Sequence, residues 1–395
     1  MRLALISDTY PPMRTSAAVQ MSDLAAALRE LGVQVTVLVP DHQATGQKLS
    51  ASMEDGVSVI RFACPKAKDQ SYPIRVAAEW VTPYLMRNAL ARNGLLKDSF
   101  DGVVWYSPSI FFGPLVNSLK SANQCSAYLI LRDIFPQWAL DMGILKPGPV
   151  FWILDKIAQA QYRKADVIGV QSPGNLTFLS EAVAPARRFE VLNNWVRSRP
   201  FSGEGINLRG TTLEGRKLLI YTGNMGVAQG AGVVLQLAEE LQNRTDIGIL
   251  MVGRGSEVSR LADAAASRKL DNLMFHPEVE PARMPDVLAQ GVAGLVLLDP
   301  RHRSQNIPGK AVSYLSHGLP TLAVVDGHSD LAELIRSNKV GWVLDSERAL
   351  GPDVAFFFDE IEADQKISER CRSLASRLFS PEAAARQILD GVRKG

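Results

Sequence analysis

Three short stretches in the second half of the chain set glycines and polar side chains at the ends of apolar runs. Leu218 to Gly230 reads LLIYTGNMGVAQG, so that Gly223, Asn224, Met225, Gly226 and Gln229 follow a strand-like run. Residues 251–261 read MVGRGSEVSRL and place Gly253, Arg254 and Gly255 after a second run. Residues 304–320 read SQNIPGKAVSYLSHGLP, where Ile307, Pro308 and Gly309 lead into a helical pattern with Lys310 in its first turn. A strand that ends in a glycine-rich turn and opens a helix presents backbone N–H groups and a partial positive charge to an anion. A lysine in the first turn adds a full charge. Together these features suit a diphosphate better than a single phosphate. The first turn carries no Lys or Arg, so its positive charge has to come from Lys310, with Arg254 as a second source. Taken singly, Gly253 or Gly255 is also an ordinary turn residue, and Lys310 is also an ordinary surface lysine. Repetition on successive strand ends of one sheet favours a ligand site.

In the first half, LILRDIFPQWALDMG sets Arg132 and Asp133 at the carboxyl end of an apolar strand. There they contact a second ligand, or Asp133 merely caps the helix that follows. SDTYPPMRTSAAVQ follows the first strand with Asp8, Arg14 and Ser16, and its helix start is another anion-friendly point. Other chemistries lack their residues. There is no GxGxxG after the first strand, no P-loop and no DxD, and the five histidines form no metal-binding spacing.

These residues need strand ends to stand on, and the chain supplies them. RLALIS and VQVTVLVP flank SAAVQMSDLAAALRELG, whose Val19, Leu24, Ala27, Leu28 and Leu31 have helical spacing and which stops at Gly32. This is a β-α-β unit. GVSVIRFA, GVVWYS, SAYLILRD, DVIGVQS and RFEVLNN continue the pattern, which predicts a parallel sheet covered on both faces. Residues 197–215, rich in Gly, Ser, Arg and Thr, read as a linker. KLLIYTG, IGILMVG, NLMFHP, GVAGLVLLD, PTLAVVD and GWVLD then alternate with helices. The fold class is α/β: two tandem Rossmann-like, doubly wound domains at 1–196 and 216–379, with ligands expected in the cleft between them. Residues 380–395 form a last helix returning toward the first domain.

The charge is nearly balanced, with 43 basic against 41 acidic residues, which excludes a general nucleic-acid binder. Residues 61–97 depart from that balance, with seven basic side chains against two acidic, interleaved with Tyr72, Trp80, Tyr84 and Leu85. Such a segment suits an anionic lipid surface, or it is a helix on the core with a solvated basic face. Three scattered cysteines suit a reducing compartment. No leader pattern or membrane span is evident, so a cytoplasmic protein, peripheral on the inner face of the plasma membrane, is expected.

At these motifs the chain resembles the retaining glycosyltransferases of the GT-B fold, family 4. Within that family it resembles the bacterial O-antigen and capsule transferases of the N-acetyl-L-fucosamine type. The resemblance runs through SDTYPP, LRDIFPQWALDMGIL, RKADVIGVQSPGN, VLNNWV, YTGNMGVAQG, VGRGSE and IPGKAVSYLSHGLPTLAV, in order along nearly the whole chain. It implies transfer of a sugar from a UDP-sugar to a polyprenyl-diphosphate-linked saccharide, without a cofactor or a metal. The base would lie near Arg254 and Pro277 to Val279. The diphosphate would sit between the GNMG turn and Gly309–Lys310, and the acceptor near Asp8 to Ser16 and Asp133. Gln305 and Ser313 stand where the family pattern has two glutamates, TSAA replaces its glycine pair, and Gln229 replaces a basic residue. Gln305 is implied to hydrogen-bond a sugar hydroxyl and Ser313 to face the ribose. Two other readings are a silent GT-B subunit that binds a glycan or a partner transferase, and a nucleotide-sugar epimerase. The epimerase would need acid/base carboxylates and histidines that the motifs do not supply.

Overall fold

The computed structural model describes every residue except 14, 44–47, 68–69, 98, 183–187, 198–200, 202, 204, 227–228, 300–306, 346–352 and 395. The chain divides into two compact units: Met1–Asn193 together with Pro381–Gly395, and Asn194–Ser380.

The first unit is built on a sheet of eight strands: β1 (Arg2–Ile6), β2 (Gln34–Asp41), β3 (Leu49–Glu54), β4 (Val57–Ala63), β5 (Gly102–Ser107), β6 (Ser126–Leu131), β7 (Val167–Val170) and β8 (Arg188–Val191). Their order is β3-β4-β2-β1-β5-β6-β7-β8. The fully buried β5 and almost fully buried β6 explain why those runs are apolar throughout rather than alternating. The helix Gly113–Asn123 buries Leu115, Val116 and Leu119 against Trp105 and Leu129 of the sheet.

One edge departs from the all-parallel expectation. β3 pairs antiparallel with β4, from Leu49 opposite Phe62 to Glu54 opposite Val57. The reversal is made by Asp55 and Gly56, at φ 47° and 77°, the left-handed pair that a two-residue hairpin requires. The Asp-Gly dipeptide was the available signal. The strand itself is exposed along its middle, so no hydrophobic alternation announces it.

The last helix, Pro381–Lys394, belongs to this unit. It buries Ala384, Ala385, Ile388, Leu389 and Val392, and Gln387 Nε2 donates to Glu190 Oε1 at 3.0 Å and to Val191 O at 2.9 Å. Gly391 lies so close to Tyr128 that a Cβ would come within 2.6 Å of its ring.

The second unit carries six parallel strands: β9 (Lys217–Asn224), β10 (Ile247–Arg254), β11 (Leu273–His276), β12 (Gly291–Leu297), β13 (Thr321–Val325) and β14 (Gly341–Asp345). Their order, β11-β10-β9-β12-β13-β14, reverses direction between β9 and β12. That reversal is a topological switch point, where the loops after adjacent strands diverge and leave room for a ligand. Alternate residues of β9 feed two cores: Leu218 and Ile220 on one face, Leu219 and Tyr221 on the other. The stretch read as a linker is in part a wall of this unit. Ile206 and Leu213 are buried in its core, and both backbone groups of Ile206 bond the Gln290 carboxamide at 2.8 Å. Its apolar residues are too few and too irregularly spaced to show as periodicity, yet burying Leu213 alone stabilises by about 1.5–3 kcal/mol.

Candidate functional site

The site in the second unit is assembled at the switch point. β9 ends in Gly223 and Asn224, both exposed, and Gly223 has φ +117°, a conformation a side chain would resist. Two neighbouring glycines let the β10 turn lie directly against this one. A Cβ on Gly253 would stand 1.9 Å from Gly223 O, and one on Gly255 would stand 2.2 Å from Met225 O. Met225 N–H donates to Arg254 O at 2.7 Å, and Glu257 N–H donates to Met225 O at 3.1 Å. Gly253 and Gly255 are therefore required for backbone contact between the two turns.

The expectation that free backbone N–H groups at Asn224 to Gly226 cradle a phosphate is corrected in part. The Met225 N–H is spent on Arg254 O. The Gly226 N–H donates to Gln229 Oε1 at 3.1 Å, and Asn224 Nδ2 donates to the same oxygen at 2.9 Å. The Gln229 carboxamide oxygen thus accepts from both of these donors. Met225 is fully buried and anchors the turn in the core.

Lys310 arrives from the other side of the switch point. Ile307, buried in the core, and Pro308 lead into the helix Gly309–Ser316, with Gly309 itself exposed. Tyr314, one turn beyond Lys310, fixes this helix. Its ring fills the space over Gly294 of β12, where a Cβ would lie 2.2 Å away. Its hydroxyl accepts from Thr222 N at 2.9 Å and donates to Leu295 O at 3.2 Å. The Lys310 stem is half-buried, but its ammonium is enclosed and has no hydrogen-bond acceptor among the described residues. Nζ lies 3.6 Å from the centroid of the Tyr221 ring and 3.8 Å from where a Gly223 Cβ would be. Burial alone drives its pKa down to about 7.

The other expected residues are placed as follows. Arg254 is exposed and pairs through Nε with Glu278 Oε2 at 3.3 Å, a surface contact worth little by itself. Pro277 is exposed, and Val279 packs on the core that holds the Lys310 helix. Ser313 is half-buried, and its carbonyl accepts from His317 Nδ1 at 2.8 Å and Ser316 Oγ at 2.8 Å. Gln305 and Arg14 lie outside the described residues.

In the first unit, Asp8 follows β1, and Arg132 and Asp133 follow β6. Asp8 is half-buried after β1, Arg132 is only 3% exposed after β6, and Asp133 is half-buried beside it. All three bear on Tyr106, near the end of β5. Burial raises the Tyr106 phenol well above its usual value, Arg132 opposes that, and Asp133 and Asp8 add to it. Burial also lowers the Arg132 guanidinium to about 10. Asp133 is not the N-cap of the next helix, Gln137–Asp141, which starts after Pro136 without a side-chain cap. Ser16 is the exposed first residue of its helix. The cap is Thr15, whose hydroxyl accepts from Ala18 N–H at 3.1 Å. The sequence reading missed Tyr106, Tyr221 and Tyr314. All three are aromatic residues within apolar runs, where a hydroxyl carries no periodic signal.

Comparison with known proteins agrees with this architecture. Residues 15–195 match the family "Glycosyl transferase 4-like domain", and residues 208–374 match "Glycosyl transferases group 1". A protein of Escherichia coli (strain K12) named "Putative colanic acid biosynthesis glycosyl transferase WcaI" is 22% identical over 59% of this chain and 60% of its own length. The alignment thus spans less than two thirds of that relative. Among solved structures, WaaG, a glycosyltransferase involved in lipopolysaccharide biosynthesis, matches with a TM-score of 0.63 and 14% identity over 100% of both chains. The Escherichia coli trehalose-6-phosphate structure bound with UDP-2-fluoro glucose matches at 0.71 and 12%, covering 100% of this chain and 99% of that one. At such identities the structures speak for the fold. With the two family matches, they show the GT-B architecture, a glycosyl transferase 4-like domain followed by a group 1 glycosyl transferase domain.

Proposed function

We propose that this chain is a retaining glycosyltransferase that moves an N-acetylated hexosamine or deoxyhexosamine from a UDP-sugar to a lipid-linked saccharide in surface polysaccharide synthesis. The observation that carries the reading is the enclosed Lys310 ammonium beside Gly223, at the switch point of a six-stranded parallel sheet. It supplies a positive charge where a leaving diphosphate needs one, the role a metal ion plays in other nucleotide sites. The helix start at Gly309 adds its dipole. The acceptor hydroxyl attacks the anomeric carbon on the face from which the diphosphate departs, and its proton passes to a diphosphate oxygen. Asp8, Arg132 and Asp133 would hold the acceptor on the first unit, and Gln305 and Ser313 would contact the sugar and the ribose.

The names of the relatives, concerned with colanic acid and lipopolysaccharide, favour a surface-glycan acceptor. A membrane-bound acceptor also fits the helix Tyr72–Arg92, which exposes Tyr72, Ile74, Val76, Trp80 and Leu85. This helix would rest on the inner leaflet and keep the protein peripheral on the cytoplasmic side, since no helix among the described residues is long and apolar enough to cross a membrane. The test is UDP release from a panel of UDP-sugars with a polyprenyl-diphosphate-linked saccharide. Turnover in the wild type that is lost in Lys310→Ala, with the circular dichroism spectrum unchanged, supports the reading. No turnover with any donor overturns it.

A further inference from the structure

We infer that Tyr221 is a positioning residue for the anion-binding group: its ring holds the Lys310 ammonium over the end of β9, and its hydroxyl fixes the turn that follows. The inference rests on the donor site proposed above and names a residue to which none of the motifs assigns a role.

Lys310 and Tyr221 belong to opposite faces of the sheet. Ala311 and Tyr314, neighbours of Lys310 on its helix, pack into one core, while Tyr221 packs into the other. The lysine therefore reaches over the strand end to place its ammonium on the ring. Gly223 is what it passes, in van der Waals contact at the position a Cβ would take. The ammonium has no oxygen to donate to among the described residues. A buried cation without an acceptor is strongly disfavoured, and the face of a tyrosine within about 6 Å is one of the few groups that offsets this without a negative charge. An anion arriving at the turn then meets an amine that is already desolvated and held in place. A carboxylate partner in the same place would compete with the anion. The ring does not.

The same residue grips the turn. Tyr221 Oη donates to Asn224 O at 2.5 Å. From the opposite face Tyr314 Oη accepts from Thr222 N at 2.9 Å. Two tyrosines thus fix the end of β9 from its two sides, and both bear on the Lys310 helix. One lies on it, and the other holds its lysine.

The test uses the full chain labelled with ε-13C-lysine, with the Lys310 resonance assigned by its loss in Lys310→Arg. The Lys310 Hε protons should be shifted upfield by the Tyr221 ring current in the wild type. The shift should persist in Tyr221→Phe and vanish in Tyr221→Leu. By calorimetry, inorganic pyrophosphate and UDP should bind about tenfold more weakly to Tyr221→Leu, and within about threefold of wild type to Tyr221→Phe, which keeps the ring face and loses only the hydroxyl's bond to Asn224 O. A merely structural tyrosine would move stability without moving the lysine resonance. Absence of the upfield shift in the wild type overturns the inference even where Tyr221→Leu fails to fold. Equal pyrophosphate affinity in a folded Tyr221→Leu overturns it too, as does a wild type that binds neither pyrophosphate nor nucleotide. Tyr221-dependent binding of pyrophosphate without binding of UDP, GDP or dTDP would instead overturn the nucleotide-donor reading and leave the pairing intact.

Discussion

The ammonium of Lys310 lies 3.6 Å from the centre of the Tyr221 ring, enclosed and without a hydrogen-bond acceptor among the described residues. A chain selected for stability alone would place an apolar side chain there, since replacing a buried charge with a hydrophobe of similar volume often stabilises. Lys310→Met should therefore raise stability by about 1–4 kcal/mol near neutral pH. It should also abolish measurable UDP binding, read by urea denaturation and calorimetry on the same sample. A variant that loses stability, or keeps its affinity, contradicts this account of the site.

Lys310 also sets a pH signature. Its folded pKa of about 7 lies below its usual 10.5 because of burial. Between those values the unfolded chain binds the extra proton, so stability should rise as pH increases from about 7 toward 10.5. Binding of an anion needs the charged form, so UDP affinity should fall as pH rises above about 7. The two trends run in opposite directions, and Lys310→Met should flatten the part of the stability curve that this residue causes. Parallel trends in the wild type would contradict the assignment.

Gly255 has no room for a side chain, because a Cβ would stand 2.2 Å from Met225 O. Gly255→Ala must push the two turns apart and break the Met225 to Arg254 hydrogen bond. A loss of about 2–4 kcal/mol is expected, in the range of severe backbone strain and overpacking, together with loss of nucleotide binding. A thermal melt unchanged within a degree would show that the contact is dispensable.

Gln229 ties up the Gly226 N–H and the Asn224 amide. Gln229→Glu would fix a negative charge in the turn and repel a diphosphate, weakening UDP at least tenfold. Gln229→Ala frees both donors and should change affinity by less than about threefold, the size of one exchanged neutral hydrogen bond. If the two variants bind UDP equally, the turn does not meet the phosphates.

The helix Tyr72–Arg92 leaves Tyr72 69% and Ile74 54% exposed. Vesicles containing anionic lipid should carry the wild type upward in a flotation gradient, and less so at high salt, where the basic residues of the segment are screened. Tyr72→Glu with Ile74→Glu should abolish flotation and leave the melting temperature unchanged, because neither side chain is buried. Failure of the wild type to float on any composition would remove the membrane from the proposal.

The strand ends were legible because apolar runs stopped by glycine are local signals. β9, β10 and β12 were read directly from KLLIYTG, IGILMVG and GVAGLVLLD. The hairpin strand β3 was not, because its exposed residues do not alternate, although Asp55–Gly56 marked the turn. Residues 197–215 read as a linker because Ile206 and Leu213 are isolated apolar residues there. Only the core that receives them gives them a role.

The sequence by itself determined two parallel-sheet units and the lysine at the start of a helix, since both are fixed by local pattern over a few turns. It also determined that the glycine-rich turn at Gly223 carries no cation of its own. Only the tertiary structure decided how that turn is completed. It brought Lys310 over Gly223 onto Tyr221, residues 87 positions or more away in the chain, and it closed the Gly226 N–H with Gln229 and the Met225 N–H with Arg254 O. The physical reason is that strand order, not sequence distance, makes β9 and β12 neighbours, and the sequence does not print that order. Where a charge ends up enclosed depends on which faces the sheet brings together.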